Sequence, residues 1–115
     1  MADQCDDVRR QIALLARRKD ARFISWSREM PCVWKPTTVM NPAVGFCFTD
    51  ISAWAYIAEL AECGHPIEEI ELDQPAGEKG YVMTKQLEAN LPDLYVKVQL
   101  KGGKIIGRSF HYSTK

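Results

Sequence analysis

Three stretches of the chain carry a regular alternation of apolar and polar residues, and each dictates an element. In DQCDDVRRQIALLARRKD, Val8, Ile12, Leu15 and Ala16 recur at the i, i+4, i+7, i+8 spacing of an amphipathic helix, which predicts a helix over residues 4–18. Its start carries Asp3, Asp6 and Asp7 and its end Arg17, Arg18 and Lys19, the charge order that suits a helix dipole. In TDISAWAYIAELAECGHP, a helix over 50–63 is expected, with Thr49 or Asp50 as its cap and Ile51, Trp54, Ile57, Ala58 and Ala61 on one face. Gly64 supplies the residue after its end, and Pro66 prevents continuation.

The third stretch, LYVKVQLKGGKIIGRSFHYS, alternates with period two about two glycines and predicts an antiparallel hairpin of 94–100 with 104–112. In a regular register Leu100 faces Ile105, Val98 faces Gly107, Val96 faces Ser109 and Leu94 faces His111. One face is then aliphatic, with Leu94, Val96, Val98 and Leu100, and the other carries Tyr95, Lys97, Gln99, Ile106, Arg108, Phe110 and Tyr112. A regular register also leaves His111 on the aliphatic face. A bulge after Gly107 brings it round, and a glycine within a strand is a common place for one.

Between these stretches the pattern is weaker. Residues 23–48, with Pro31, Pro36 and Pro42 among Phe23, Trp26, Trp34, Phe46 and Phe48, read as short strands or extended turns. A short strand or turn is expected around Ile67–Leu72, then a loop marked by Pro75, Gly77 and Gly80, then a strand at YVM. The order of elements predicts a single α+β domain over 1–115, a small antiparallel sheet with helices packed on one face. Trp54 and Ile57 should share one core with Leu94, Val96 and Val98.

Composition supports a folded domain, since 46% hydrophobic and 26% charged residues are near globular averages. No apolar run approaches a membrane span, and the first residues are acids and arginines where a signal peptide is apolar. The expectation is a soluble cytoplasmic protein with no membrane partner. Cys5, Cys32, Cys47 and Cys63 have neither CxxC nor ligand spacing, so they read as reduced thiols, three or more of them partly buried. Neither a metal nor a cofactor is expected, and no Walker loop, GxGxxG, GxSxG or HExxH occurs.

Charge changes the picture by its distribution. Fifteen basic and fifteen acidic residues cancel, yet residues 59–78 hold seven acids and no Lys or Arg, and residues 94–115 hold Lys97, Lys101, Lys104, Arg108 and Lys115 and no acid. A polyanion responds to the local face, because screening acts over about 8–10 Å at cellular salt. Arg9, Arg10, Arg17 and Arg18 form either an RNA-facing stripe or a solvated helix surface.

The second face of the hairpin has the groups that cleave RNA through its own 2′-hydroxyl, a reaction needing a base, cations for the charged phosphorane and an acid for the leaving oxygen. Arg108, read as a surface cation, suits bidentate phosphate binding, Lys97 point-charge stabilisation, His111 proton transfer, and Tyr95 or Tyr112 stacking or proton donation. Lys104 and Gln99 are candidate substrate-binding groups. His65, beside a helix stop, reads as a turn residue, and Cys63 near it lacks the orienting third group of a nucleophile pair.

LYVKVQLKGGKIIGRSFHYS resembles the C-terminal strands of the RelE-like toxin superfamily, nearest those of the motility quorum-sensing regulator family of mRNA interferases, where a YLK strand precedes one ending in Ser-Phe and a basic residue. The match covers about 20 residues of the chain and places Tyr95 and Lys97 on the first strand, Ser109 and Phe110 on the SF pair, and His111 at the final basic position. It implies metal-independent cleavage of mRNA, a small sheet with helices on one face, and inhibition by a protein antitoxin. A second reading is a non-catalytic binding module, with the segment around Trp26, Trp34 and Trp54 forming a pocket or partner surface and the acidic stretch 59–78 docking a basic partner. A third is a protein whose sheet edge drives homodimerisation.

Overall fold

The computed structural model describes residues 5–24, 32–72 and 77–113. Helix α1 spans Cys5–Ala16 and α2 Asp50–Glu62; the strands are β1 Arg22–Phe23, β2 Val33–Trp34, β3 Met40–Asn41, β4 Phe46–Cys47, β5 Glu68–Glu71, β6 Lys79–Lys85, β7 Leu94–Lys101 and β8 Lys104–Tyr112. The main sheet runs β1, β8, β7, β6, β5, antiparallel from β5 to β8, while β1 and β2 both lie parallel to β8 along one edge. β3 and β4 form a separate hairpin. The fold is therefore α+β, with both helices on one face of the sheet.

Local chemistry accounts for the boundaries. Thr49 and Ser52 exchange hydrogen bonds as a capping box at the start of α2, and Gly64, at a positive φ of 82°, takes the chain out of the helix. Gly102 and Gly103 both adopt positive φ, 59° and 75°, the conformation that a two-residue hairpin turn requires. α1 stops at Ala16, short of the expected 18, and the chain then makes a single turn of 3-10 helix at Lys19–Ala21.

The core lies between the helices and one sheet face, where Ile12, Leu15 and Ala16 of α1 and Trp54, Ile57 and Ala58 of α2 meet Met83, Leu94, Val96, Val98, Ile105 and Phe110. The shared core expected for Trp54, Ile57, Leu94, Val96 and Val98 is present. Ile51 is not part of it. At the first turn of α2 it is 74% exposed, and Ala53 and Leu60 are buried instead, because the helix is covered on more than one side and its apolar arc is wider than one stripe.

Trp34 connects the irregular segment to this core. Its ring lies 4.8 Å from that of Trp54 and 5.6 Å from that of Phe110, and its Nε1 donates to Asp50 Oδ1 at 3.1 Å. It also rests directly on Gly107, where an added Cβ would come within 2.6 Å of the indole. Trp34 and Trp54 are thus core residues, 6% and 3% exposed; Trp26 lies outside the described residues. The thiols also depart from expectation. Cys47 and Cys63 are exposed, and Cys32, half-buried, donates to the Gly107 carbonyl at 3.1 Å.

The largest correction concerns the register of the hairpin. Leu100 faces Ile105 and Val98 faces Gly107 as expected, but Lys97 then faces Ser109, Val96 faces Phe110, Tyr95 faces His111 and Leu94 faces Tyr112. Arg108 is the extra residue of a bulge. Everything beyond it changes face relative to a regular register: Phe110 and Tyr112 turn to the helix side, and Ser109 and His111 turn away from it. Phe110 is fully buried and supplies the aromatic contact that Ser109 could not.

Candidate functional site

The sheet face away from the helices collects side chains from four strands. Across one row lie Glu68 of β5, Val82 of β6, Lys97 of β7 and Ser109 of β8; across the next lie Thr84, Tyr95 and His111. The bulge puts His111 directly opposite Tyr95, their ring centroids 5.5 Å apart. Lys97 lies two residues along β7 from Tyr95 and diagonal to His111, the latter a spacing of roughly 7–8 Å that a lysine easily spans. Lys97, Tyr95 and His111 therefore share one face and one neighbourhood, with Ser109 between them.

His111 Nδ1 is 2.7 Å from the Tyr112 carbonyl. A carbonyl only accepts, so the bond assigns the hydrogen to Nδ1 and leaves Nε2 of the neutral ring as a proton acceptor. Burial pushes the Tyr95 hydroxyl above the ordinary phenol value, and the Glu68 carboxylate adds to the effect. Tyr95 is accordingly a proton-bearing donor at neutral pH. A ring nitrogen able to accept a proton and a phenol able to donate one stand side by side.

Arg108 is elsewhere in role. It is 3% exposed and its guanidinium donates to Gln99 Oε1 at 2.8 Å; Gln99, also buried, donates through Nε2 to Glu78 at 2.8 Å, and Lys101 Nζ reaches the other Glu78 oxygen at 3.0 Å. Neither Arg108 nor Gln99 is a surface ligand for phosphate. Lys104 sits at the turn, where it donates to the Asp20 carbonyl at 3.1 Å, at the far end of β8 from His111. Tyr112 faces the helices, and its hydroxyl accepts from the Met40 amide at 3.0 Å. Of the residues expected from sequence, Tyr95, Lys97 and His111 come together; Gln99 follows Lys97 on the same face but is buried in the chain with Arg108 and Glu78, and Lys104 and Tyr112 lie elsewhere.

The acid-free run after residue 94 is less cationic in space than along the chain, because Glu78 from the acidic stretch is folded back onto Lys101. Arg9 of α1 donates to the His65 carbonyl, and Arg17, just past the end of α1, makes a two-pronged contact with Glu62 at 2.6 and 2.7 Å, while the exposed Arg10 and Arg18 lie near Asp7 and Asp20. They form no continuous free stripe.

Beside the Tyr95 row lies a cavity of about 240 Å³ lined by His65, Pro66, Ile67, Glu68, Val82 and Thr84. Two of its lining residues are joined by a hydrogen bond, His65 Nε2 lying 2.6 Å from the Thr84 carbonyl. Sequence reasoning missed Glu68 and Thr84, since EEIE has no alternation that assigns a face until its pairing with β6 is known. The chain matches no family model, and neither curated proteins nor solved structures give a match.

Proposed function

We propose that this protein is a metal-independent endoribonuclease of the RelE-like toxin kind, acting at Tyr95, Lys97 and His111. The observation that supports this reading is the bulge at Arg108, which rotates His111 out of the core and sets it against Tyr95, diagonal to Lys97. In this reaction the 2′-oxygen attacks the adjacent phosphorus while His111 Nε2 takes its proton. Lys97 stabilises the charged phosphorane, and Tyr95 protonates the departing 5′-oxygen. The bond to the 5′-oxygen breaks, leaving a 2′,3′-cyclic phosphate and a 5′-hydroxyl. Arg108 acts indirectly, by filling the bulge. A protein antitoxin is the partner this reading implies.

The test is cleavage of a 5′-labelled RNA by the purified protein in EDTA, with product ends identified by mass. Cyclic-phosphate ends are expected, and His111→Ala should slow the reaction by on the order of 10²- to 10⁴-fold, the usual worth of a positioned proton-transfer group. Products ending in a 3′-hydroxyl, or no cleavage and no RNA binding even at low salt, would overturn the proposal.

A further inference from the structure

The cavity bordered by residues 65–68, at the start of β5, and by Val82 and Thr84 of β6 shares the Tyr95 face through Glu68, Val82 and Thr84, and its lining has the character of a planar-ligand site. Pro66, Ile67 and Val82 offer apolar walls, while Thr84 and Glu68 bring a hydroxyl and a carboxylate to the rim. Among the described residues the Glu68 carboxylate has no hydrogen-bond or ion-pair partner. Thr84 lies directly opposite Tyr95 in the β6–β7 pairing, so a base lodged there would have its ribose and phosphate over the Tyr95–His111 row.

A carboxylate is an acceptor on both oxygens, and that selects among the bases. Guanine alone presents two adjacent donors on its Watson–Crick edge, N1–H and the N2 amino group. Adenine and cytosine each set a ring-nitrogen acceptor beside their amino donor, and uracil flanks its one N–H with two carbonyls. Adenine, cytosine and uracil would each meet Glu68 with one bond and one repulsion, or worse; guanine would meet it with two charge-assisted bonds. Resting on the ribonuclease reading above, we infer that this cavity is a guanine subsite, with Glu68 as its specificity-determining residue and Thr84 as a second polar contact.

The test compares short RNAs identical but for one guanosine, replaced by adenosine or by inosine, which lacks the N2 amino group. The wild type should cleave the guanosine substrate on the order of 10- to 100-fold faster than the adenosine one, the usual worth of a two-pronged base contact, with inosine between. Glu68→Gln presents one acceptor and one donor, the complement of adenine, and should reverse the preference. Its thermal melt should match the wild type, since Glu68 is exposed. As a readout free of catalysis, guanosine monophosphate should shift the Thr84 amide resonance and adenosine monophosphate should not. Equal cleavage of all three substrates, or a guanosine preference untouched by Glu68→Gln, would overturn the subsite and leave the ribonuclease standing. No cleavage of any RNA, with the Thr84 shift still seen, would overturn the ribonuclease and leave a guanine-nucleotide pocket.

Discussion

At the scale of single residues, the face that carries the proposed chemistry is held by a buried polar chain. Arg108, Gln99 and Glu78 are linked in series, and Lys101 closes the exposed end. A buried guanidinium is tolerated only where its hydrogen bonds are made, and the carboxylate at the end of the chain offsets its charge. The Glu78 carboxyl is held below its ordinary value, chiefly by the hydrogen bond from Lys101 and further by Gln99, against the opposing effect of partial burial. A carboxyl depressed in the folded state stabilises it above the unfolded value, and this contribution is lost as pH falls through the folded value. The stabilisation should therefore be full at neutral pH and decline on the acid side of 4.5, the ordinary value. Thermal melts from pH 7 down to pH 3 should show Glu78→Gln less stable than the wild type at neutral pH and the two curves converging in acid. A constant offset across that range would mean that the carboxylate's charge is not what the chain uses.

At the scale of elements, β8 is a strand with one residue too many, and the surplus explains what was legible in the sequence and what was not. The helices, the Gly102–Gly103 turn and the pairs Leu100–Ile105 and Val98–Gly107 all follow from local periodicity and turn chemistry. Beyond Gly107 local pattern is ambiguous, because R-S-F-H-Y alternates acceptably in either register. The choice falls to tertiary packing: Phe110 fills the space beside Trp34 and Phe48, at 5.6 and 5.1 Å between ring centroids, and Ser109 would leave it empty. Trp34, whose partners are distant in sequence, decides the register of a strand that it only flanks. A one-residue slip ordinarily inverts every later side chain, and this gives the bulge a sharp test. Deleting Arg108 should remove the bulge and leave Ser109 opposite Lys97 and Phe110 opposite Val96. That variant should fold with a native near-ultraviolet spectrum, though weaker by about 1–3 kcal/mol for the orphaned Gln99 oxygen. Deleting Ile106 also removes one residue, but it slides Arg108 into the place of Gly107 beneath Trp34. That variant should fail to fold cooperatively. If both deletions behave alike, Arg108 is not the bulged residue.

At the scale of the whole molecule, zero net charge is distributed as an acidic edge and a partly neutralised basic hairpin. β5 lies at the sheet edge with Glu68, Glu69 and Glu71 along it, and like carboxylates disfavour pairing of that edge with the same edge of another copy. On the hairpin, Lys101 is paired with Glu78 and Lys104 is turned toward Asp20, and Lys97 is the lysine that shares a face with the Tyr95–His111 pair. Salt dependence of RNA binding measures how many phosphates a protein neutralises, with a slope of about −0.7 per phosphate on a single strand. A wide basic surface touching six to ten phosphates would give slopes of roughly −4 to −7 in a plot of log affinity against log salt concentration. A site built on one lysine and recognition of a base should instead give a slope of about −1 to −2, with the rest of the affinity indifferent to salt. Titration of a labelled oligonucleotide between 50 and 300 mM salt distinguishes the two. Lys97→Met should flatten the slope further, by about one phosphate, while Arg17→Met should leave it unchanged, because that arginine is engaged with Glu62 across the helices. A steep slope insensitive to Lys97→Met would move the RNA to another surface of the molecule.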